Sequence, residues 1–364
     1  MSRRQLAGIV AIVAALLVAG TDAWTFRHFG TNAATKQYPD DYLNAVACPS
    51  AAQCWAVGQT GSAPGGNTLS EARDPLLRHE AFGRWHTVVP SGLAAAGAAL
   101  ESIACPGAAD CWAVGGNAAG GEAVIEHWTG GAWQPEPSPA LPGSQLDAVS
   151  CASANACWAT GGRQSRSGVT EDLLEQWNGS RWNVAATLAD GMRPEELSCP
   201  VAGFCLALGV RGGNPAAASY SGGRWTAVTP PAAPAGQAAG SVPSLFGCAS
   251  PGMCLAVFPG ADLVTDAWNG RAWTPVTSAM LAYPVGLSCA GRQSCWLLGM
   301  TRKSRPLALR WRGSGWAAAA AGPAQSHGYL SALACGSACW AVGGLGGTRR
   351  NGVPYTNPLI ETVA

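Results

Sequence analysis

Seven close pairs of cysteines recur along this chain, and their regular spacing constrains the fold more than any other feature of the sequence. A hydrophobic run precedes each pair, and a phrase close to Trp-Ala-Val-Gly follows its second cysteine. Successive first cysteines lie 41 to 57 residues apart, a period typical of propeller blades. The pairs use all 14 cysteines and are Cys48/Cys54, Cys105/Cys111, Cys151/Cys157, Cys199/Cys205, Cys248/Cys254, Cys289/Cys295 and Cys335/Cys339. The chain is therefore predicted to form an array of seven similar units.

The third repeat shows how each unit is predicted to fold. Residues 146–151 alternate apolar and small polar side chains, as a half-buried strand does. Residues 157–161 follow a short turn and form a second strand, and residues 173–177 form a third. Asn178-Gly179 is a strong hairpin signal because both residues tolerate positive φ, and a tryptophan then begins a fourth strand. Four antiparallel strands per repeat are the content of one propeller blade.

The seventh repeat contains only three predicted strands, and the fourth is predicted at the other end of the sequence. Residues 24–29 alternate in character and begin with Trp24, and each of the other predicted fourth strands also begins with Trp. We therefore predict an all-β fold, a seven-bladed β-propeller of four-stranded antiparallel blades over residues 24–364. The N-terminal strand closes the ring, and one disulfide lies in each blade.

The first 23 residues have the features of an export segment. Arg3 and Arg4 precede an apolar run at residues 6–19, and small residues follow at the positions that a signal peptidase recognises. A membrane-spanning helix needs about 20 apolar residues, so residues 1–23 favour a cleaved signal peptide, with an uncleaved signal anchor as the alternative. We expect a protein that is secreted or lies on the extracellular face of the cell envelope. Membrane contact is expected only through an uncleaved N-terminal segment.

Export and an even number of closely paired cysteines together favour disulfides. Zinc is the alternative for paired cysteines. However, neither the six C-x5-C pairs nor the final C-x3-C pair has a second pair or a histidine at zinc-finger spacing. The sequence therefore predicts seven disulfides, no metal site and no cofactor. The expected role of the disulfides is to lock hairpins that are rich in Gly and Ala.

The predicted hairpin between the third and fourth strands carries a family resemblance. It reads Gln-Trp-Asn-Gly-Ser-Arg-Trp at residues 176–182, and similar phrases recur in the other blades. Gly179 and Trp182 match the S-x-D-x-G-x-x-W signature, so the chain resembles the Asp-box or BNR-repeat propellers. Glu175 and Trp177 stand where that family has Ser and Asp.

Two further likenesses concern the second strand. The phrase Cys-Trp-Ala-Val-Gly is similar to the Gly-Trp-Ala-Val-Gly of photosystem II assembly-factor propellers, and the cysteine pairs resemble those of exported bacterial propellers of unassigned role. These resemblances imply the fold. They imply no single function, because such folds serve sialidases, sorting receptors and assembly factors alike.

Charge is sparse and unevenly placed. The net charge is +1 at pH 7 and only 12% of residues are charged, which argues against nucleic acid as a partner. The loops between the second and third strands hold many basic residues and share one face with the blade connections, where loops on a rigid scaffold can bind ligands. The candidate binding residues are Arg163, Arg166, Arg302, Lys303, Arg305, Arg349 and Arg350. The connections add acids that include Glu101, Asp147 and Glu195, so this face is mixed in charge.

Other residues that could carry chemistry have a structural interpretation. All sixteen Trp occupy repeat positions, which favours packing between blades over a sugar-binding surface. The third strands carry the acids Glu126, Glu175, Asp266 and Glu361. These acids are expected to pair with neighbouring arginines such as Arg181 rather than to act as acid and base. No catalytic residue is predicted.

The predicted function is therefore a monomeric binding or interaction module whose partner is an unidentified protein or an envelope polysaccharide. Two alternatives remain open at this point. A glycan-acting hydrolase of the BNR or sialidase type would need carboxylates, or a Tyr/Glu pair, converging at the channel mouth. An assembly factor for a membrane complex would fit best with an uncleaved N-terminal segment.

Overall fold

Each cysteine repeat forms one four-stranded antiparallel sheet, and seven such sheets make up the computed structural model of this protein. The structure describes residues 26–28, 41–50, 53–60, 74–81, 84–88, 98–117, 122–140, 142–164, 170–185, 188, 191–235, 237, 241–260, 263–278, 281, 283–289, 294–303, 305–321, 328–335, 339–348 and 354–363. The predicted export segment, residues 1–23, lies outside these ranges. Within them, no helix is long and apolar enough to cross a membrane.

Blades 1 to 4 each contain four consecutive strands. Blade 1 comprises β2 (Tyr42–Ser50), β3 (Gln53–Thr60), β4 (Asp74–Ala81) and β5 (Arg84–Val88). Blade 2 comprises β6 (Ala98–Gly107), β7 (Asp110–Asn117), β8 (Ala123–Trp128) and β9 (Trp133–Glu136). Blade 3 comprises β10 (Ser144–Ser153), β11 (Ala156–Gln164), β12 (Thr170–Trp177) and β13 (Trp182–Val184). Blade 4 comprises β14 (Arg193–Val201), β15 (Phe204–Arg211), β16 (Asn214–Ser221) and β17 (Arg224–Val228).

Blades 5 and 6 repeat this order, and blade 7 combines both ends of the chain. Blade 5 comprises β18 (Leu245–Ser250), β19 (Met253–Phe258), β20 (Leu263–Trp268) and β21 (Trp273–Ser278). Blade 6 comprises β22 (Tyr283–Cys289), β23 (Cys295–Met300), β24 (Pro306–Trp311) and β25 (Trp316–Ala321). Blade 7 comprises β26 (Gly328–Cys335), β27 (Cys339–Thr348), β28 (Pro354–Val363) and β1 (Phe26–His28).

The ring closes as predicted, through strand β1. Phe26 pairs with Val363 and His28 with Glu361, in antiparallel register. The first strand of each blade also contacts the first strands of both neighbouring blades. The seven first strands therefore form the inner wall of a closed ring, and the seven-bladed propeller is confirmed.

All seven predicted disulfides form, one in each blade, and no cysteine is free. Each disulfide joins the end of a first strand to the start of the second. Seven disulfides suit an oxidising compartment outside the cytoplasm. The bonded pairs are Cys48–Cys54, Cys105–Cys111, Cys151–Cys157, Cys199–Cys205, Cys248–Cys254, Cys289–Cys295 and Cys335–Cys339.

The second cysteine of each pair is buried, which the sequence analysis did not predict. The spacing indicated only that the disulfides lock hairpins, whereas the structure places these side chains in the hydrophobic core, each at most 3% exposed. They are therefore packing residues as well as cross-links, and solvent does not reach them. The second cysteines are Cys54, Cys111, Cys157, Cys205, Cys254, Cys295 and Cys339.

The core that surrounds these cysteines is shared between neighbouring blades. Cys54 packs in one cluster with Trp340 of blade 7, and Cys111 packs in another with Trp55 of blade 1. In the same way, Cys205 of blade 4 shares a cluster with Trp158 of blade 3, and Cys254 of blade 5 shares one with Leu206 of blade 4. The sequence did not show this depth because the apolar residues that cover each cysteine lie one blade away along the chain.

Tryptophans of the second strands pack between blades. The Trp112 ring of blade 2 stacks on His127 with centroids 3.7 Å apart. Its other neighbours are Trp177 and Trp182 of blade 3, at 4.5 and 5.3 Å. Trp55 is placed in the same way between His79 of its own blade and Trp128 of the next blade. The prediction that repeat-position tryptophans pack between blades is confirmed for these positions, while Trp24 lies outside the described residues.

A second link between blades explains the serine that precedes several first cysteines. Ser150 Oγ of blade 3 accepts a hydrogen bond from the backbone N–H of Cys199 in blade 4, at 2.9 Å. Ser198 and Ser288 make the equivalent bonds to the next blades, at 3.0 and 2.9 Å. These bonds help to fix the height of blades 3, 4 and 6 relative to the next blade at the inner wall.

Candidate functional site

Six of the seven first strands carry a β-bulge at the same place. In blade 3, Leu146 pairs with Gly161 and Ala148 with Thr160, so Asp147 is the extra residue. A bulge turns the extra side chain away from the regular alternation and often does so beside a binding site. The six bulged residues, here called the channel-mouth ring, are Asn44, Glu101, Asp147, Glu195, Val285 and Ser331.

The bulge explains the final glycine of the Trp-Ala-Val-Gly phrase. A Cβ atom on Gly161 would lie 1.9 Å from the carbonyl oxygen of Gln145 in the facing strand. The same clash would arise at Gly115 with Ala99 O, also at 1.9 Å. Only glycine allows the first strand to come so close where the bulge bends it.

Hydrogen bonds place the channel-mouth ring at the inner wall. The Asn44 side chain of blade 1 donates to Leu100 O at 3.0 Å and to Glu101 Oε2 at 3.1 Å, both in blade 2. On the other side of blade 1, the Ser331 hydroxyl of blade 7 donates to Leu43 O. The six extra residues therefore lie at equivalent places around the ring, at the end of the channel where the second strands meet the loops that lead to the third strands, although the Val285 side chain packs against the core between blades 6 and 7.

Three successive members of the ring are acidic: Glu101, Asp147 and Glu195, here called the acidic arc. Asp147 accepts a hydrogen bond from Gln145 at 2.9 Å, and Glu195 forms an ion pair with Arg193.

Burial and the adjacent Glu195 carboxylate raise the pKa of Glu196 to about 7. Across the described residues, no three His, Cys, Asp or Glu side chains are grouped as a metal site.

The predicted basic residues are only partly brought together. Arg302, Lys303 and Arg305 lie in one loop between β23 and β24 of blade 6. Arg163 lies at the end of β11 in blade 3, where it forms an ion pair with Glu171. The sequence thus locates one basic loop on this face, but the described residues show no gathered cluster. The remaining candidates, which lie outside the described residues, are Arg166, Arg349 and Arg350.

The acidic arc was assigned in the sequence to blade connections, whereas the structure places it within first strands. Its signal in the sequence is the extra residue that interrupts the alternation, as Asp147 does between Leu146 and Ala148. Asn44 was not singled out because an amide in a strand is ordinary without knowledge of its neighbour. Its hydrogen bond to Glu101 joins residues 57 positions apart.

Two buried carboxylates on the third strands, Glu175 and Asp266, accept hydrogen bonds from blade connections and not from arginine, which the sequence predicted as the partner of the third-strand acids. Glu175 is fully buried and accepts a hydrogen bond from Ser138 Oγ, at 2.6 Å, in the connection that leaves blade 2. Asp266 accepts from the backbone N–H of Ala232, at 2.9 Å, in the connection that leaves blade 4. The exposed Arg181 side chain instead donates to Asn183. Arg181 lies on the solvent side of the hairpin and cannot reach the interior position.

This burial makes stability depend on pH. Burial raises the pKa of both Glu126 and Glu175 from 4.5 to about 7. Between about pH 4.5 and pH 7 the folded state therefore binds more protons than the unfolded state, and the free energy of unfolding falls as the pH rises through this range. We expect E126Q/E175Q to match the wild type near pH 5 and to melt several degrees higher at pH 8, as thermal scans would show. Glu122 is exposed, so E122Q serves as the control, and a double variant that tracks the wild type at both pH values would contradict the assignment.

No protein-family model matches this sequence, and no curated protein matches it. Solved structures do. YCF48 bound to D1 peptide has a TM-score of 0.58 at 14% identity, over 95% of this chain and 98% of that chain. The chain shares the propeller fold of YCF48. YCF48 from Cyanidioschyzon merolae gives the same TM-score and identity over 93% of this chain and 98% of that one. The fucose-recognising lectin of Aleuria aurantia, a six-bladed propeller, is more distant, with a TM-score of 0.47 and 13% identity over 79% of this chain and 98% of that chain.

Proposed function

We propose that this protein is an exported binding module that holds a charged polypeptide segment at its channel mouth. The observation that carries the proposal is the bulge repeated in six blades, which places one extra residue at the same position in each of these first strands. Each bulge interrupts the regular pairing of its sheet, and bulges are common beside binding sites. The repeated interruption therefore favours a recognition role for the extra residues.

The charge distribution on this face favours a charged polypeptide over a neutral glycan. The acidic arc spans blades 2 to 4, and the basic loop, Arg302 to Arg305, belongs to blade 6. In a ring of seven, blade 6 lies across the channel from blades 2 and 3. A ligand with separated positive and negative groups would match both sides, since complementary charge gives orientation and partner choice.

Rigidity and a structural likeness support the same proposal. Seven disulfides and a closed ring hold the bulged residues in fixed positions, which lowers the entropic cost of binding. YCF48, which shares the fold, was solved with a bound D1 peptide. A propeller of this shape can thus receive a polypeptide.

Binding would be tested with oxidised residues 24–364 immobilised and exposed to envelope extract of the producing organism. We expect capture of a defined protein that survives periodate treatment, with at least tenfold weaker binding of that protein by E101Q/D147N. The matched control is D74N/E122Q, which removes the same charge from exposed positions at the third strands, further from the channel. Equal binding by both double variants would contradict the channel-mouth assignment. Periodate-sensitive capture would indicate that the ligand is a polysaccharide and not a polypeptide, which would contradict the proposal.

A further inference from the structure

The face opposite the channel mouth carries a set of exposed arginines. The disulfide turns and the hairpins between third and fourth strands meet at this face, since Cys157 and Trp182 both pair with Trp177 at this end of blade 3. The hairpins of blades 1, 3, 4, 5 and 6 each carry one arginine, and all five residues are exposed. These residues, here called the arginine collar, are Arg84, Arg181, Arg224, Arg271 and Arg312.

Negative charge is nearly absent from this face. The residues between paired cysteines and the residues of these hairpins include one acid, Asp110. Its carboxylate lies 2.8 Å from His127 Nε2 and so already has a partner. The nearby Glu80, in β4, is buried. Among the described residues, no ion pair includes a collar arginine. The net charge of +1 conceals this asymmetry, because the acids of the chain lie on other parts of the propeller.

The hairpin turns do not require arginine. In blade 3, the N–H of Asn178 donates to Arg181 O at 3.3 Å. Blade 2 closes the same turn with alanine in place of that arginine, from the N–H of Thr129 to Ala132 O at 3.2 Å. The backbone of the collar residue takes part in the turn, whereas its guanidinium is not needed for it. The repeated arginine is therefore available for a partner outside the chain.

The chain enters the propeller at the same face. Val363 pairs with Cys339 in β27 and with Phe26 in β1, so Phe26 lies level with the disulfide of blade 7. Only residues 20–25 separate Phe26 from the apolar run at residues 6–19. A segment of this length reaches at most about 20 Å. An N-terminal segment retained in a membrane would therefore hold the arginine collar next to that membrane.

An exposed apolar side chain lies on this face as well. Val201, between Cys199 and Cys205 in the disulfide turn of blade 4, is 42% exposed. Arg181 and Arg224 belong to the hairpins of blades 3 and 4. Apolar side chains at the boundary between lipid headgroups and acyl chains strengthen the electrostatic attraction of basic residues to anionic lipids. Val201 therefore favours a lipid surface over a fully soluble anion.

We propose that the arginine collar docks this propeller on an anionic phospholipid membrane, with the channel mouth turned away from the bilayer. Guanidinium groups bind phosphate oxygens through two parallel hydrogen bonds. Clustered basic residues bind anionic bilayers because their individually weak attractions add up. In this orientation the acidic arc and the basic loop stay open to the polypeptide proposed above. The docking itself does not depend on that proposal.

Co-sedimentation of oxidised residues 24–364 with vesicles separates the collar from the N-terminal segment. One set of vesicles contains phosphatidylglycerol in phosphatidylcholine, and the other is phosphatidylcholine alone. We expect at least tenfold tighter binding to the anionic vesicles at low ionic strength. Binding should be lost at high salt, because salt screens attraction between exposed charges. Equal binding to the two sets of vesicles would overturn the proposal.

The collar variant is R181Q/R224Q/R271Q, which removes three exposed arginines from consecutive blades. We expect it to bind the anionic vesicles at least tenfold more weakly than the wild type. A thermal scan should give the melting temperature of the wild type, since none of these guanidinium groups is buried. Wild-type vesicle binding by the folded variant would contradict the role of the collar.

The matched control is R163Q/R193Q/R211Q, which removes the same charge from strand ends on the mouth face. We expect it to bind anionic vesicles like the wild type. Equal weakening by the control and the collar variant would show an effect of net charge and would overturn the proposal. Soluble polyphosphate that binds more tightly per phosphate than the vesicles would also overturn it, in favour of an anionic polymer. None of these outcomes bears on the channel-mouth site, whose test uses a different ligand and different variants.

Discussion

Complete reduction of the disulfides is expected to unfold this protein. Each of six bonds closes a loop with a sequence separation of 6, and the loop-entropy relation assigns about 2 kcal/mol to such a loop. By this relation the seven disulfides together contribute about 15 kcal/mol to the free energy of unfolding, which is close to the whole stability of a typical domain. The blades are rich in Gly and Ala, with 48 glycines in the chain, so few large side chains remain to compensate.

The measurement is circular dichroism during a thermal scan, on protein treated with and without a strong reductant and then alkylated to prevent reoxidation. Because the second cysteines are buried, reduction requires a denaturant, which is then removed. We expect loss of the cooperative thermal transition in the reduced, alkylated sample. A sample carried through the same steps without reductant is the control. A reduced protein that keeps its thermal transition within a few degrees of the oxidised one would show that packing alone holds the blades.

Removal of the closing strand should have the second largest effect. A chain that begins at residue 30 lacks β1, so β28 loses its partner along the register from Phe26 to His28. Blade 7 then has three strands and an open edge, and the N-terminal end of the chain no longer ties the two ends of the ring together. The three residue pairs of β1 are lost, and at about 1 kcal/mol for each ladder bond the melting temperature should fall by roughly 4 °C in a domain of this size.

The reference for this comparison is the chain that begins at residue 24, measured in the same oxidised state and buffer. An exposed strand edge also favours self-association, so light scattering should show larger particles for the shortened chain. An unchanged melting temperature would mean that β1 does not contribute to ring closure.

Much of the fold was predictable because its determinants are local in sequence. The short separation within each cysteine pair leaves few ways to connect the two strands, and Cys151 and Cys157 indeed face each other across a turn. The Asn178-Gly179 turn has the expected backbone, with Gly179 at φ +93°. Ring closure was also predictable, because the strand missing from blade 7 begins with the same residue type in the other blades.

The functional surfaces were less predictable because they depend on contacts between blades. The basic loop at Arg302 was located from the sequence, but the acidic arc was not recognised as part of a ring. Glu175 was expected to bind an arginine nearby in sequence, and it binds Ser138 instead. Such partners lie one blade apart, and no local pattern records which side of a blade a buried acid faces.

The sequence by itself determined the number of blades, the strands within each blade, the disulfide pairs and the closure of the ring, because each follows from comparing the spacing of residues within one repeat with that in the others. The tertiary structure alone decided what lies between repeats: the depth of the second cysteines, the residues placed at the channel mouth and the connections held by buried acids. The departure from tryptophan at Leu255 is visible in the sequence. Its consequence appears only in the structure, where Leu255 and Trp311 of the next blade are buried in one hydrophobic cluster, because the side chains that pack together between blades are distant along the chain.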